Sequence, residues 1–284
     1  MAEAMLASVV VRTQGRRLKL LLAALESLAR QTYPALEVIV VEDGSAAAAG
    51  VVAAAEALRP NVFRHLPAPR QGRCRAGNLG LERARGALLG FLDEDDAVEP
   101  DHVATIAAAL HADPAANCAY ARATPLYCTG LDEDEPHVAW AGAPEGDAPF
   151  SRTLLWLRNS IPIQAALFRR ELYQRCGGLD PDLDALEDWD LWLRYSAEKP
   201  FTALEAITSS YKLPASRSKR LQRARAHEPA RAVLAAKHAA LTGEHSFAAI
   251  SALPAYVRGQ ASFRQAMQMA GAALIAKVRN GTRQ

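Results

Sequence analysis

An α/β fold is predicted for this 284-residue sequence, with a mostly parallel central sheet flanked by helices and a helical extension at the C-terminus. Three observations carry that expectation. Short β-branched apolar runs alternate with helical periodicity through residues 6–110, the mark of βαβ units. Two of those runs end directly in acidic turns. Past residue 215 the chain turns basic, then Ala-rich, with no further strand signal.

Taken in order, residues 6–11 form the first buried strand. Residues 17–30 follow as a helix, with Leu18, Leu21, Leu22, Leu25 and Leu28 on one face, and Tyr33-Pro34 ends it. Residues 36–41 give a second strand that runs into Glu42-Asp43-Gly44-Ser45. A helix over 46–58, a strand over 62–66 and a helix over 76–85 come next. Residues 87–92 give a fourth strand, which delivers Asp93-Glu94-Asp95-Asp96, and Pro100 opens a helix reaching Leu110. Further on, strands are expected at 118–127, 164–168 and 201–207, a long surface loop at 129–149 and a helix at 186–196. The basic run 216–225 and two helical stretches, 229–241 and 260–278, complete the chain. Residues 1–215 read as one domain and 216–284 as a basic segment with C-terminal helices.

Composition is ordinary for a globular protein: half of the residues are hydrophobic and 23% are charged. Net charge is +2, from 33 basic and 31 acidic residues, so nothing calls for a nucleic-acid partner. Cys74, Cys118, Cys128 and Cys176 form no CxxC pair, which fits a reducing compartment without disulfides or a zinc site. With neither a signal peptide nor an apolar stretch long enough to span a bilayer, the expected location is cytoplasmic. No GxGxxG follows the first strand, and GxxxxGK[ST] and GxSxG are absent. Dinucleotide dehydrogenases, P-loop enzymes and α/β-hydrolases are thereby disfavoured.

In open α/β sheets, ligands bind beyond the carboxyl ends of the strands, where Asp43 and the 93–96 cluster fall. Four adjacent acids repel one another unless a cation or a set of donors compensates them, and carboxylates suit Mg²⁺ or Mn²⁺. A solvated turn capping the next helix is the simpler alternative. Asp43 is either a ribose- or base-binding carboxylate or a turn residue ahead of glycine. Arg70, Arg73 and Arg75 either meet phosphate or form a solvated loop. Glu187, Asp188 and Asp190 open a helix whose dipole favours ionised carboxylates, so one of them can act as a general base. Beside them, Trp189 and Trp192 are core residues, or one of them offers a face to a sugar. The 216–225 run is a solvated face or a lid over a diphosphate. The last helix, with Arg264, Lys277 and Arg279 beside Leu274 and Ile275, is a candidate for peripheral contact with an anionic membrane.

In sequence order these pieces resemble the family 2 glycosyltransferases, which have the GT-A (Rossmann-like) fold. The resemblance starts at Ser8-Val9-Val10-Val11-Arg12-Thr13 and passes through Leu25 to Leu28, Gln31 to Pro34 and Glu37 to Ser45. It continues through Gly72, Ala76, Asn78 to Leu81, Phe91 to Asp96 and Pro100. Phe168 to Arg170, Gly177 to Asp180 and Glu187 to Arg194 complete it, so it covers roughly residues 6–210. It implies an inverting, metal-dependent transferase taking a sugar from a nucleotide-diphosphate sugar, with Mn²⁺ or Mg²⁺ as cofactor. The acceptor would be a glycan or lipid-linked glycan, in surface polysaccharide or lipopolysaccharide assembly, with contact to the inner membrane. Thr13 and Asp43 would line the nucleotide pocket; Arg73 and Trp189 are expected to be further donor contacts on the reading of the residues given above, not on the resemblance. Asp93 would lie near the ribose, and Asp95, with Asp93, would hold the metal. Asp188 would be the base and Glu187 its support. In two places the sequence departs from the family. Arg12 stands where proline is frequent, with Gln14 near where asparagine is usual, and Gly77 stands where an arginine usually precedes the asparagine at Asn78; Arg73 and Arg75 are candidates to supply that charge. Two other functions compete: a non-catalytic nucleotide- or glycan-binding module, and a sugar nucleotidyltransferase. The latter needs a Gly-rich basic loop after the first strand, and residues 14–19 are a poor version of one.

Overall fold

The computed structural model describes residues 4–146, 149–183 and 185–239. The helix expected at 260–278, with its candidate membrane face, lies outside them. Strands β1 (Ala7–Thr13), β2 (Leu36–Asp43), β3 (Phe63–Ala68) and β4 (Leu88–Asp93) alternate with helices α1 (Leu18–Ala29), α2 (Ala49–Leu58) and α3 (Arg73–Arg83). A two-residue strand β5 (Ala97–Val98) leads into α4 (His102–Ala112). After it come β6 (Cys118–Thr129), β7 (His137–Ala141), α5 (Arg152–Leu157), a 3-10 turn (Ile163–Ala165), β8 (Ala166–Arg169) and α6 (Arg170–Cys176). The chain then forms α7 (Glu187–Glu198), β9 (Thr202–Pro214), α8 (Arg217–Ala226) and α9 (Glu228–Lys237).

The sheet runs β3-β2-β1-β4-β8-β6-β9-β5, with β7 paired to β6. Its first four strands are parallel, Val10 standing beside Ile39 and Phe91. Beyond β4 the sheet is mixed: β8 is antiparallel to β4 and β6, β9 is parallel to β6, and β5 and β7 are antiparallel to their neighbours.

Strand alternation divides the core in two. Val9, Val11, Val38, Val40 and Leu92 meet α1, α2 and α4 on one side of the sheet. Val10, Ile39, Val41, Leu89 and Phe91 meet α3 and α7 on the other. Gly80 lets α3 lie directly on β1, since a Cβ there would stand 2.3 Å from Val10 Cγ1.

The loop expected at 129–149 is corrected in part, because it contains β7. The reason it escaped notice is physical: all five β7 residues are exposed, so no buried face imposes an apolar alternation. Trp140 stacks on Tyr127 instead, with ring centroids 5.0 Å apart. The four cysteines are free thiols. Among the described residues, no helix is long and apolar enough to cross a membrane.

Candidate active site

At the carboxyl ends of β1, β2 and β4 lies a cleft of about 850 Å³. It is lined by Thr13, Asp43, Arg73, Asp93, Asp95, Glu187 and Asp188 together, drawn from five separate segments. Trp189 is the exception and corrects the expectation of a sugar platform. It is 1% exposed, and its indole N–H donates to the Leu155 carbonyl at 2.6 Å. Helical periodicity turns it inward, away from Asp188, and with Trp192 it belongs to the core.

A closed ring of alternating charge joins the two acidic segments. Arg12 reaches Asp93 Oδ1 at 2.6 Å and Glu187 Oε1 at 3.0 Å. Arg73 reaches Asp93 Oδ2 at 3.0 Å and the same Glu187 oxygen at 2.8 Å. The side chains of Arg12 and Glu187 are 4% and 3% exposed, so each charge depends on the others. Burial alone would favour protonated Asp93. Arg12 and then Arg73 outweigh burial and hold its pKa below the ordinary carboxylate value. Burial likewise disfavours the charged form of Arg12, yet Asp93 and Glu187 make it hold its proton more tightly than usual.

Asp188 is treated differently. Its oxygens accept the Asn159 side-chain amide at 2.7 Å and the Trp189 backbone N–H at 2.8 Å, with no direct ion pair to either arginine. Burial, followed by the neighbouring Glu187 carboxylate, pushes its pKa up to about 6. A carboxylate so placed is ionised at neutral pH while remaining a competent proton acceptor. The backbone just ahead of it is strained: Leu186 has φ 62°, in the left-handed region that a branched side chain rarely occupies. The third acid, Asp190, is structural. Buried in α7, it binds Arg194, Lys237 and His238 and ties α9 to α7.

Asp43 turns both oxygens to backbone, accepting N–H from Gln71 at 2.6 Å and Gly72 at 3.0 Å, and so fixes the loop leading to Arg73. Thr13 donates to Glu94, which also holds Arg17 at 2.8 Å; Arg17 reaches Asp95 at 3.0 Å. The Lys212 amine binds the Asp95 carbonyl.

A family model for glycosyl transferase family 2 matches residues 8–177. The chain belongs to this family. An uncharacterized glycosyltransferase of Haemophilus influenzae is 29% identical over 196 residues, covering 69% of this chain and 63% of the relative. The O-antigen biosynthesis protein RfbC of Myxococcus xanthus is 31% identical over 176 residues, covering 61% of this chain and 13% of the relative. The chain thus spans less than two thirds of the length of either. The mannosyltransferase PcManGT of Pyrobaculum calidifontis, solved with GDP-Man and Mn²⁺, superimposes with TM-score 0.60 at 18% identity, over 100% of this chain and 77% of that one. The architecture is the GT-A fold, a curled mixed sheet between helices.

The acidic turn offers one or two carboxylates, and not a full ligand cage, to a divalent ion. Among the described residues, no three His, Cys, Asp or Glu side chains gather into a cage. Asp93 has both oxygens on arginines, while Asp95 has a single ion pair, to Arg17. Burial, then the Asp95 and Asp93 carboxylates, pushes the Asp96 pKa well up against the opposing charge of Lys212. One or two carboxylates completed by phosphate oxygens and water is the usual way of holding Mg²⁺.

The two departures from the family pattern meet in space. A Cβ on Gly77 would stand 2.6 Å from Leu179 Cδ1 and 3.3 Å from Arg12 Cδ. Arg12 therefore passes where a residue-77 side chain would begin, and it brings a guanidinium to the site from β1. Arg73 is its partner there; Arg75 lines a separate cavity. Sequence reasoning missed Arg17, Asn159, Gln164 and Lys212, which also line the cleft. The polar break Asn159-Ser160 before Pro162 was the available signal for Asn159.

Proposed function

We propose that this chain is an inverting, metal-dependent glycosyltransferase, moving a sugar from a nucleotide-diphosphate sugar to a hydroxyl acceptor. The observation that carries the reading is Asp188: a proton acceptor left without a cation partner, in one cleft with an acidic turn and a set of arginines. Thr13 and Asp43 line the nucleotide end. Asp95 would hold the metal, which when bound neutralises charge on the departing diphosphate. Arg16 and Arg223 line the same cleft as further cations. Asp188 takes the proton of the acceptor hydroxyl as that oxygen bonds to the anomeric carbon. The bond from that carbon to the diphosphate oxygen breaks on the opposite face, and the leaving oxygen keeps the electron pair. The configuration at the anomeric carbon therefore inverts. Burial, and then the negative charge of Glu187, itself fixed by Arg12 and Arg73, keep Asp188 partly protonatable. The O-antigen relative and the Mn²⁺-containing structural neighbour support a glycan or lipid-linked glycan acceptor in surface polysaccharide assembly, and a metal cofactor.

A panel of UDP-, GDP- and dTDP-sugars, screened by thermal shift with Mn²⁺ and with EDTA, tests the reading. One donor is expected to raise Tm only with Mn²⁺, that gain is expected to vanish in Asp95→Ala, and proton NMR of the product is expected to show inversion. A product with retained configuration refutes the assignment of Asp188, and stabilisation that survives EDTA refutes the metal.

A further inference from the structure

We infer that Tyr127 and Trp140 form a second sugar site beside the cleft, on which one sugar of an oligosaccharide acceptor stacks while another sugar of the same chain reacts at Asp188; the acceptor role rests on the glycosyltransferase reading. Of the four tryptophans, Trp156, Trp189 and Trp192 are buried, while Trp140 is 47% exposed. A single exposed apolar side chain is ordinary on a protein surface. Trp140 does not stand singly. Its ring lies nearly parallel to that of Tyr127, with 17° between the planes, and a guanidinium is held over the pair. Arg220 Cζ is 5.1 Å from the centre of the Tyr127 ring and 6.0 Å from that of Trp140. Arg220 Nη1 donates to the Pro214 carbonyl at 2.9 Å and to the Ala215 carbonyl at 2.5 Å. Among the described residues, its Nε and Nη2 have no hydrogen-bond partner and no carboxylate pairs with it. Flat aromatic rings beside N–H donors suit a sugar, whose C–H face lies on a ring while its hydroxyls accept from the guanidinium.

Strand register joins this platform to the cleft. Leu213 of β9 pairs with Tyr127 of β6, and Tyr127 pairs with Trp140 of β7. Residues paired in register project from the same face, so the three stand in a row across one side of the sheet. Leu213 lines the cleft, as do Tyr211, two residues earlier on the same face of β9, and Leu131 in the turn between β6 and β7. The row therefore starts at the cleft wall and runs outward to Trp140. Two strand spacings, about 10 Å, separate Trp140 from Leu213. That distance suits a further sugar along a chain rather than the one reacting in the cleft. Position also assigns the ligand to the acceptor. The nucleotide end is built from β1, β2 and β4, whereas β9, β6 and β7 form the opposite half of the sheet.

The test uses the intact protein with maltohexaose, cellohexaose, chitohexaose, mannohexaose and hexagalacturonate as probes. Without any donor, at least one hexasaccharide is expected to shield tryptophan fluorescence from iodide, and Trp140 is the tryptophan exposed enough to report it. Calorimetry with that hexasaccharide is expected to show affinity lowered by about three- to tenfold in Trp140→Ala, the scale of one aromatic contact, and largely restored in Trp140→Phe. With the donor selected by the nucleotide-sugar panel, the parent is expected to have a lower KM for the hexasaccharide than for the matching monosaccharide, and Trp140→Ala to lose most of that advantage. Shielding by none of the probes overturns the inference, as does parental affinity in Trp140→Ala. Equal loss of affinity in both variants, with a lower Tm in both, makes Trp140 structural and overturns it too. Shielding with an unchanged KM advantage in Trp140→Ala overturns the acceptor role. A parent that hydrolyses no donor overturns the glycosyltransferase reading and the acceptor role with it; shielding is measured without donor, so the sugar site is judged separately.

Discussion

Asp93, at the end of β4, and Asp188, at the start of α7, line one cleft and feel the same Arg73, yet their acidities move in opposite directions. Both are disfavoured as anions by burial. Asp93 answers with two guanidinium partners; Asp188 has an amide, a backbone N–H and a neighbouring carboxylate. Glu187 takes the arginine contacts that Asp188 would otherwise share. Identical side chains thus receive different roles from their partners: Asp93 stays a fixed anion, and Asp188 stays able to exchange a proton.

The largest effect that probes this difference is on turnover. Asp188→Asn is expected to lower transfer by about 10²- to 10⁴-fold with donor affinity unchanged, measured by steady-state rates and calorimetry. Parental turnover in that variant would erase the distinction between the two acids. Next comes stability. Arg12→Ala leaves Asp93 and Glu187 buried with only Arg73 between them, and urea unfolding should show a loss of about 3–5 kcal/mol. A loss under about 1 kcal/mol would mean that the charge ring is not a unit.

A smaller effect follows from pH. The Asp188 pKa is raised in the fold, so its contribution to stability is present below the ordinary carboxylate range and is lost as pH rises through about 6. Asp188→Asn should therefore gain Tm relative to the parent between pH 5 and pH 8, at about 2–4 °C for each kcal/mol. An unchanged difference in Tm across that range contradicts the raised pKa. The smallest effect marks the boundary of the site. Trp189→Phe removes the indole bond to Leu155 and should cost about 1 kcal/mol, with acceptor KM unchanged. A raised KM would restore Trp189 to the cleft.

What was legible in the sequence follows from what each segment buries. β1, β2 and β4 are covered on both faces, so their apolar runs stand out, and the acids that follow them mark the cleft directly. β7 buries none of its residues and leaves no such trace. Asp95, Glu187 and Asp188 were readable from local context and from the family pattern. The charge ring was not, because Arg12 meets Asp93 and Glu187 across 81 and 175 residues, and no local rule spans such distances. Trp189 misled because helical spacing shows that two tryptophans share a face but leaves open whether that face meets solvent or core.

The central claim is that partners, rather than residue type, separate the two acids. Carbon-13 NMR titration of the side-chain carboxyls in the intact protein measures this most directly. Asp188 is expected to titrate near pH 6 and Asp93 below the ordinary carboxylate range. Equal midpoints, or the reverse order, would contradict it.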